Sequence, residues 1–246
     1  CSLPRIAACC LTSFGAGVNL GLLVMITEDN EAWLAYPHCR WLFDKLALSL
    51  KLGYRAGPAG VAIDQDGCYV IRPCYNLLGM GLGAKKVYLT LNHNRSIING
   101  LIPPGYFWCE WYDGPHLSLD FVRQGDIWKP FSAVRGYHHS QNNLSKFSCW
   151  EVVNIPNFKL PQWVHDLKEV EHLNIEFIGE NIVEVHLRYG NQLQHNSPLN
   201  SKLYPVWKGD NTKYKNFIPN PYGDLGKYEA NGLQNDVRIG FTTDDL

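Results

Sequence analysis

Residues 174–188 read NIEFIGENIVEVHLR and carry a dense set of groups able to do chemistry. From Val183 to Arg188 apolar and polar residues alternate, the period of a strand with two unlike faces. Val183, Val185 and Leu187 share one face, and Glu184, His186 and Arg188 share the other. In the preceding strand Ile175 and Phe177 oppose Asn174 and Glu176. A three-residue loop at Gly179, Glu180 and Asn181 sets Glu176 directly across from Glu184, and Asn174 across from His186. Opposed carboxylates, with Cβ atoms about 5 Å apart, repel one another. A divalent cation between them removes that cost, and hard carboxylate oxygens suit Mg2+ completed by substrate phosphates. The alternative is a hairpin whose polar face is simply solvated. A two-residue turn would send the two glutamates to opposite faces.

A second stretch, GCYVIRPCYNLLGMGLGAKKVYL over residues 67–89, raises a different chemistry. The apolar run Tyr69–Ile71 ends at Arg72-Pro73, glycines follow at Gly79, Gly81 and Gly83, and two lysines lead into another apolar run. Ordering glycine costs backbone entropy, so a cluster needs a reason. Either the backbone must come close to a ligand, for which N–H groups suit phosphate, or this is a long mobile hairpin loop.

These groups must be held by a chain of 246 residues, enough for one large domain or two small ones. A hydrophobic content of 46% and a charged content of 18% describe an ordinary globular protein. The net charge of −1 supplies no basic footprint for nucleic acid. The eight cysteines include Cys39, Cys68, Cys74, Cys109 and Cys149, scattered in apolar runs without a C-x-x-C pair. That excludes a readable structural zinc site and fits free buried thiols in a reducing cytoplasm. Residues 1–24 are apolar, small-residue-rich and almost uncharged, and MITEDNEAW after them reads like a natural start. They read as an upstream extension or a fragment end that adds little to the fold. No apolar stretch reaches the roughly 18 residues of a membrane span.

YPHCRWLFDKLALSLKLGY predicts a helix, with Pro37 in its first turn and Gly53 past its end. YFWCEWYDGPHLSLDFV predicts a hairpin turning at Asp113-Gly114-Pro115. Residues 123–150 read as turn-rich and strand-poor. PQWVHDLKEVEHL predicts another helix, opened by Pro161, and the tail carries short strands near Leu203–Trp207 and Val237–Phe241. The order helix, strands, helix, strands predicts α+β layers.

Taken in order over residues 36–190, these motifs resemble the ATP-grasp superfamily of ATP-dependent ligases. The resemblance implies a two-subdomain ATP-grasp-like fold, with antiparallel sheets flanked by helices. It implies an N-terminal subdomain with the glycine loop over 25–105 and a C-terminal subdomain with the metal hairpin over 106–246. FDKLALSLKLGYRAGP resembles the Asp-Lys helix and its connector, giving Lys45 an ATP phosphate. YVIRP resembles the strand that usually ends in Lys-Pro, with Arg72 in place of the lysine. GMGLGAKKV resembles the loop that closes over the β- and γ-phosphates. WCEWYDGPHLSLDFV resembles the adenine and ribose segment, implying nucleotide contacts at Glu110, Trp111, Tyr112 and His116, with His116 where a glutamate is usual. NIEFIGENIVEVHLR resembles the paired metal strands. It implies Glu176, Glu184 and His186 as Mg2+ ligands, with His186 replacing the usual asparagine, and Arg188 facing the phosphoryl group.

The implied activity is an ATP-dependent ligase using ATP and Mg2+. It activates a small-molecule or peptide carboxylate as an acyl phosphate for attack by an amine or thiol. The alternatives are a nucleotide-binding or structural protein without turnover, and a kinase phosphorylating a hydroxyl. No general base is readable; His138 and His139 in RGYHHS are either candidates or idle loop residues. The family's preceding substrate domain has no counterpart in the residues before Tyr36. Neither the two substrates nor the oligomeric state is legible.

Overall fold

A computed structural model of the chain describes residues 26, 28–75, 83–140, 143–190, 197–209, 216–219 and 238–243. Residues 1–24, Gly79 and Gly81 lie outside them. Helix α1 (Asp29–Ala35), a 3-10 segment (Pro37–Phe43) and helix α2 (Lys45–Lys51) come first. Strands β1 (Ala56–Pro58), β2 (Gly67–Pro73) and β3 (Lys85–Leu89), a helical stretch containing α3 (Asn94–Ser96), and β4 (Tyr106–Glu110) follow. Then come β5 (His116–Gln124), β6 (Ile127–Ser140), β7 (Asn143–Val152), α4 (Gln162–His165), β8 (His172–Ile178), β9 (Asn181–His186), β10 (Lys202–Trp207), β11 (Phe217–Pro219) and β12 (Arg238–Thr243).

Among the described residues the strands form two antiparallel sheets. The smaller has the order β1-β4-β2-β3, the larger β11-β12-β10-β7-β6-β5-β8-β9. This is the α+β architecture expected. Ile63, Tyr69, Ile71, Ile102 and Trp108 form the core of the small sheet. Leu42, Phe43 and Leu48 from the first helices pack instead with Leu119, Leu173, Ile175, Phe177 and Val185 of the large sheet. No helix among the described residues is long and apolar enough to cross a membrane. Cys39, Cys68, Cys74, Cys109 and Cys149 are free thiols.

Four local expectations need correction. The helix expected over 36–54 is broken at Asp44, whose carboxylate accepts the amides of Leu46 and Ala47 at 3.0 and 3.1 Å. That is an N-cap, so α2 starts afresh with Lys45 as its first residue. The segment 106–122 is no hairpin: β4 pairs with β1 and β2, whereas β5 pairs with β6 and β8. Its turn is a crossing between sheets. Gly114, at φ +133°, lies so close to Gly179 that a Cβ on it would stand 2.7 Å from the Gly179 Cα.

Residues 123–150 are not strand-poor but hold the two long strands β6 and β7. Pro130 and Gly136 mimic turn signals there. Pro130 sits beside a register shift at Asp120/Phe121, where a lost N–H is tolerated. Gly136 is demanded by packing, since a Cβ would meet Phe147 at 2.6 Å and Trp150 at 2.7 Å. Finally, the helix expected from Pro161 makes only the short α4. Trp128 Nε1 donates to the Val164 carbonyl at 2.8 Å and Arg123 Nη1 to the Leu167 carbonyl at 2.7 Å. Side chains thus claim acceptors that a longer helix would use. Val164, Leu167 and Val170 remain buried.

Candidate functional site

The β8–β9 hairpin lies at one edge of the large sheet, and its register does set Glu176 opposite Glu184 and Asn174 opposite His186. The route to that register differs from the three-residue loop. Ile178 pairs with Asn181 and Phe177 with Ile182, so the turn is Gly179-Glu180, with Gly179 at φ +60°. A register shift between Glu176 and Phe177 then absorbs one extra residue, Val183. Such a bulge leaves a backbone group outside the ladder. Here Arg72 Nη2 donates to the Val183 carbonyl at 3.0 Å. Ile182 and Val185, three positions apart, consequently both reach the apolar core.

The two carboxylates are compensated by the chain itself. Lys45 Nζ lies 2.5 Å from Glu184 Oε1, with the lysine side chain only 6% exposed. Position one of α2 aims it there, and the Lys45 amide donates to the Cys74 carbonyl just beyond Arg72-Pro73. His116, the first residue of β5, places Nε2 at 3.0 Å from Glu176 Oε2. His186 Nε2 stands 3.8 Å from both Glu176 Oε1 and Glu184 Oε1. Burial raises the Glu176 pKa, but the His116 hydrogen bond and the charges of His116, His186 and Lys45 outweigh it and hold the carboxyl well below its usual range.

Behind this cluster sits a residue that the sequence reading passed over. Asp29, in the first turn of α1, is 2% exposed. Arg188 Nε donates to its Oδ1 at 2.8 Å and Arg188 Nη2 to its Oδ2 at 3.1 Å, a bidentate fork. His186 Nδ1 lies 3.0 Å from both oxygens. Arg188 Nη1 donates to the Tyr189 carbonyl at 2.8 Å. Burial pushes the Asp29 carboxyl up, yet Arg188 and His186 bring it far below the ordinary value. Burial pushes His186 down, but Asp29 and Glu184 raise it overall. The guanidinium of Arg188 therefore faces Asp29, because a buried guanidinium requires a buried anion. The only sequence signal was the acidic run Glu28, Asp29 and Glu31 ahead of apolar residues, a helix-start pattern that says nothing of a partner 159 residues away.

The other expected residues are spread along the two sheets. Arg72 ends β2, its guanidinium 5.3 Å over the Phe107 ring. Gly83 has φ +79° and would bring a Cβ to 2.7 Å from the Tyr106 hydroxyl. Glu110 accepts from the Arg55 amide and guanidinium at 3.0–3.1 Å and from the Tyr112 hydroxyl at 2.9 Å. Trp111 donates its indole N–H to Asp113 at 2.9 Å, and the Lys86 ammonium lies 4.2 Å over its ring. Tyr112 packs edge-on against Tyr54. His138 is on β6 rather than in a loop, stacked on Phe147 at 4.3 Å and edge-on to His116 at 5.6 Å. Burial, with the nearby His116, depresses it to about 4, so the ring is neutral. The side chain of His139 lies outside the described set.

Among the described residues no group of three or more His, Cys, Asp or Glu side chains is arranged to hold a metal ion. What the hairpin offers is a two-carboxylate set flanked by an imidazole. A cavity of about 580 Å3 lies elsewhere, lined by His38, Trp41, Lys51 and Trp163. Those residues include none of the expected ones. Lys51 ends the helix that Lys45 begins, so the electrostatic cluster is the better guide to chemistry.

The chain is similar in structure to N5-carboxyaminoimidazole synthetase of Staphylococcus aureus complexed with ADP, at a TM-score of 0.50 and 12% identity. That match covers 86% of this chain and 70% of the other. It is similar also to carboxyaminoimidazole ribonucleotide synthase of Aspergillus clavatus complexed with ATP, at a TM-score of 0.52 and 11% identity, over 87% of this chain and 70% of that one. Both are ATP-grasp proteins. The chain has the ATP-grasp fold. No protein-family model matches the sequence, and no curated protein matches it. The ATP-grasp architecture is thus carried at an identity too low to transfer chemistry, and the site must be argued from its own residues.

Proposed function

We propose that this chain is an ATP-dependent ligase that activates a carboxylate as an acyl phosphate and passes the acyl group to an amine or thiol. The observation that carries this reading is the meeting of Lys45, Glu176, Glu184 and His186 at one hairpin, onto which Arg72 of the small sheet is also hydrogen-bonded. The two similar solved proteins are complexes with ADP and with ATP, which supports a nucleotide at the corresponding place.

In this reading Lys45, Arg72 and the backbone around Gly79, Gly81 and Gly83 receive the phosphates, and Glu110, Trp111, Tyr112 and His116 border the adenosine. Glu176 Oε1 and Glu184 Oε2 take no hydrogen bond from the described residues. Two hard oxygens thereby remain for Mg2+, a donor set that fits this ion when phosphates complete it. When bound, the ion neutralises phosphate charge. The substrate carboxylate attacks the γ-phosphorus, the bond to the β–γ bridging oxygen breaks, and ADP leaves. Lys45 and Arg72 oppose the negative charge that grows on that oxygen. The amine or thiol then adds to the acyl carbon, loses its proton and expels phosphate. In this reading His138, neutral and beside His116, is the candidate to take that proton. Arg188 adds positive charge behind His186.

A second reading, nucleotide binding without turnover, is favoured by the fork of Arg188 already spent on Asp29. Calorimetric titration with ATP separates the cases first. Binding that strengthens with Mg2+ and is mostly lost in Arg72→Ala is expected; no binding at millimolar nucleotide overturns the proposal. Hydroxylamine with a panel of amino and dicarboxylic acids should then yield a hydroxamate and ADP. Binding with neither product leaves the second reading. ADP without hydroxamate points to phosphoryl transfer to a hydroxyl.

A further inference from the structure

We propose that Asp29 is a positioning residue for the cation and phosphate site, acting through His186. The inference rests on the nucleotide reading above and adds to it a residue from the segment before the first expected motif. Both Asp29 oxygens lie 3.0 Å from His186 Nδ1, so the ring is held by one nitrogen and its other edge is turned to the glutamates. His186 Nε2 stands equally far, 3.8 Å, from Glu176 Oε1 and Glu184 Oε1. Asp29 cannot itself swing, because the Arg188 fork grips the same two oxygens and Arg188 is tied in turn to the Tyr189 carbonyl. The chain of contact runs Tyr189, Arg188, Asp29, His186, then the carboxylate pair. Each link is buried or nearly so: Asp29 is 2% exposed, His186 5% and Arg188 8%.

An imidazole fixed at Nδ1 by a buried carboxylate is the arrangement by which outer groups orient a metal site's side chains, and loss of such a group weakens metal binding about 10–100-fold. The competing explanation is a strut that merely fastens α1 to β9. A strut would affect stability, or every form of nucleotide binding alike. Positioning would affect the cation-dependent part alone.

The experiment compares the full-length parent with Asp29→Asn, titrating ATP calorimetrically once with Mg2+ and once in EDTA. The expected result is a loss of about 10–100-fold in the affinity of Mg-ATP, with ATP in EDTA changed less than about twofold. In a His186→Gln background the Asp29→Asn change should then have no further effect on Mg-ATP, since sites acting in series are not additive. Equal losses in both titrations, or no loss in either, overturn the inference while leaving the nucleotide reading standing. A parent protein whose ATP affinity does not respond to Mg2+ overturns that reading and this inference with it. Asp29→Asn strands a buried guanidinium and will unfold some fraction of the protein. Asp29→Asn/Arg188→Met, in which both members of the pair are neutral, carries the same expectation and settles the matter if the single variant does not fold.

Discussion

Replacing Glu184 by glutamine separates two accounts of the hairpin by sign. If the cross-strand carboxylates merely repel, the change relieves repulsion and stabilises the metal-free protein by some tenths of a kcal/mol. The structure points the other way. Lys45 Nζ sits 2.5 Å from Glu184 Oε1, and the two side chains are 6% and 15% exposed. Removing one member of a buried pair typically costs 3–5 kcal/mol, because the other charge is left without compensation. The glutamine oxygen still accepts from the ammonium, which lowers the expected cost to about 2–3 kcal/mol. With an m-value near 3 kcal/mol/M, that is a fall in urea midpoint of roughly 0.7–1 M at pH 7 in EDTA. Lys45→Met should cost a similar amount. The double variant should lose less than the sum of the singles by about 2 kcal/mol, the coupling of groups in contact. Unchanged or raised stability in Glu184→Gln, or additive single variants, would refute the argument that Lys45 rather than a bound cation offsets the carboxylates in the free protein.

Two further expectations test the neighbourhood. Gly136→Ala must push a Cβ into Phe147 and Trp150, and should lower stability by about 1–3 kcal/mol, read as a melting point reduced by several degrees. His138, held at about 4 by burial and by His116, takes up its proton more readily unfolded than folded. Its stabilisation is therefore present above the ordinary value of 6.5 and lost as pH falls from there toward 4, by an amount on the order of 1 kcal/mol after screening. His138→Gln should flatten that part of the curve of stability against pH, and an unchanged slope would show that the imidazole is not held neutral.

The shared face of Glu184, His186 and Arg188 was legible because strand period is a local property, readable from six alternating residues. The pairing of Glu176 with Glu184, by contrast, is reached through a two-residue turn and a bulge in place of the expected three-residue loop. Lys45 and Arg72 were singled out by motif, and both do reach this hairpin. What escaped was whatever depends on distant chain. Asp29 is joined to its partners across 157 and 159 residues, and no local pattern encodes that. Strands β6 and β7 were hidden because Pro130 and Gly136 signal turns locally, while a register shift and two aromatic rings make use of them in the sheet. The expected hairpin over 106–122 failed for a related reason: alternation marks a strand but not which sheet it joins. The shortening of the Pro161 helix follows from Trp128 and Arg123, side chains far outside the window in which helical spacing is judged.

Val183 acts on the hairpin as a single inserted letter acts on a reading frame. Upstream of it the strand is phased by the Gly179-Glu180 turn; downstream it is phased one step later. Straightening the bulge with Val183 kept would pair Glu176 with Val183 and Ile175 with Glu184, a regular ladder that rotates every following side chain by half a period. Glu184, His186 and Arg188 would then point into the apolar core, and Val185 and Leu187 toward Lys45. Deleting residue 183 would instead keep Glu184 opposite Glu176 and cost the carbonyl that the bulge displaces. The guanidinium of Arg72, which caps that displaced carbonyl, is the part of the small sheet that holds the bulge and so keeps the frame.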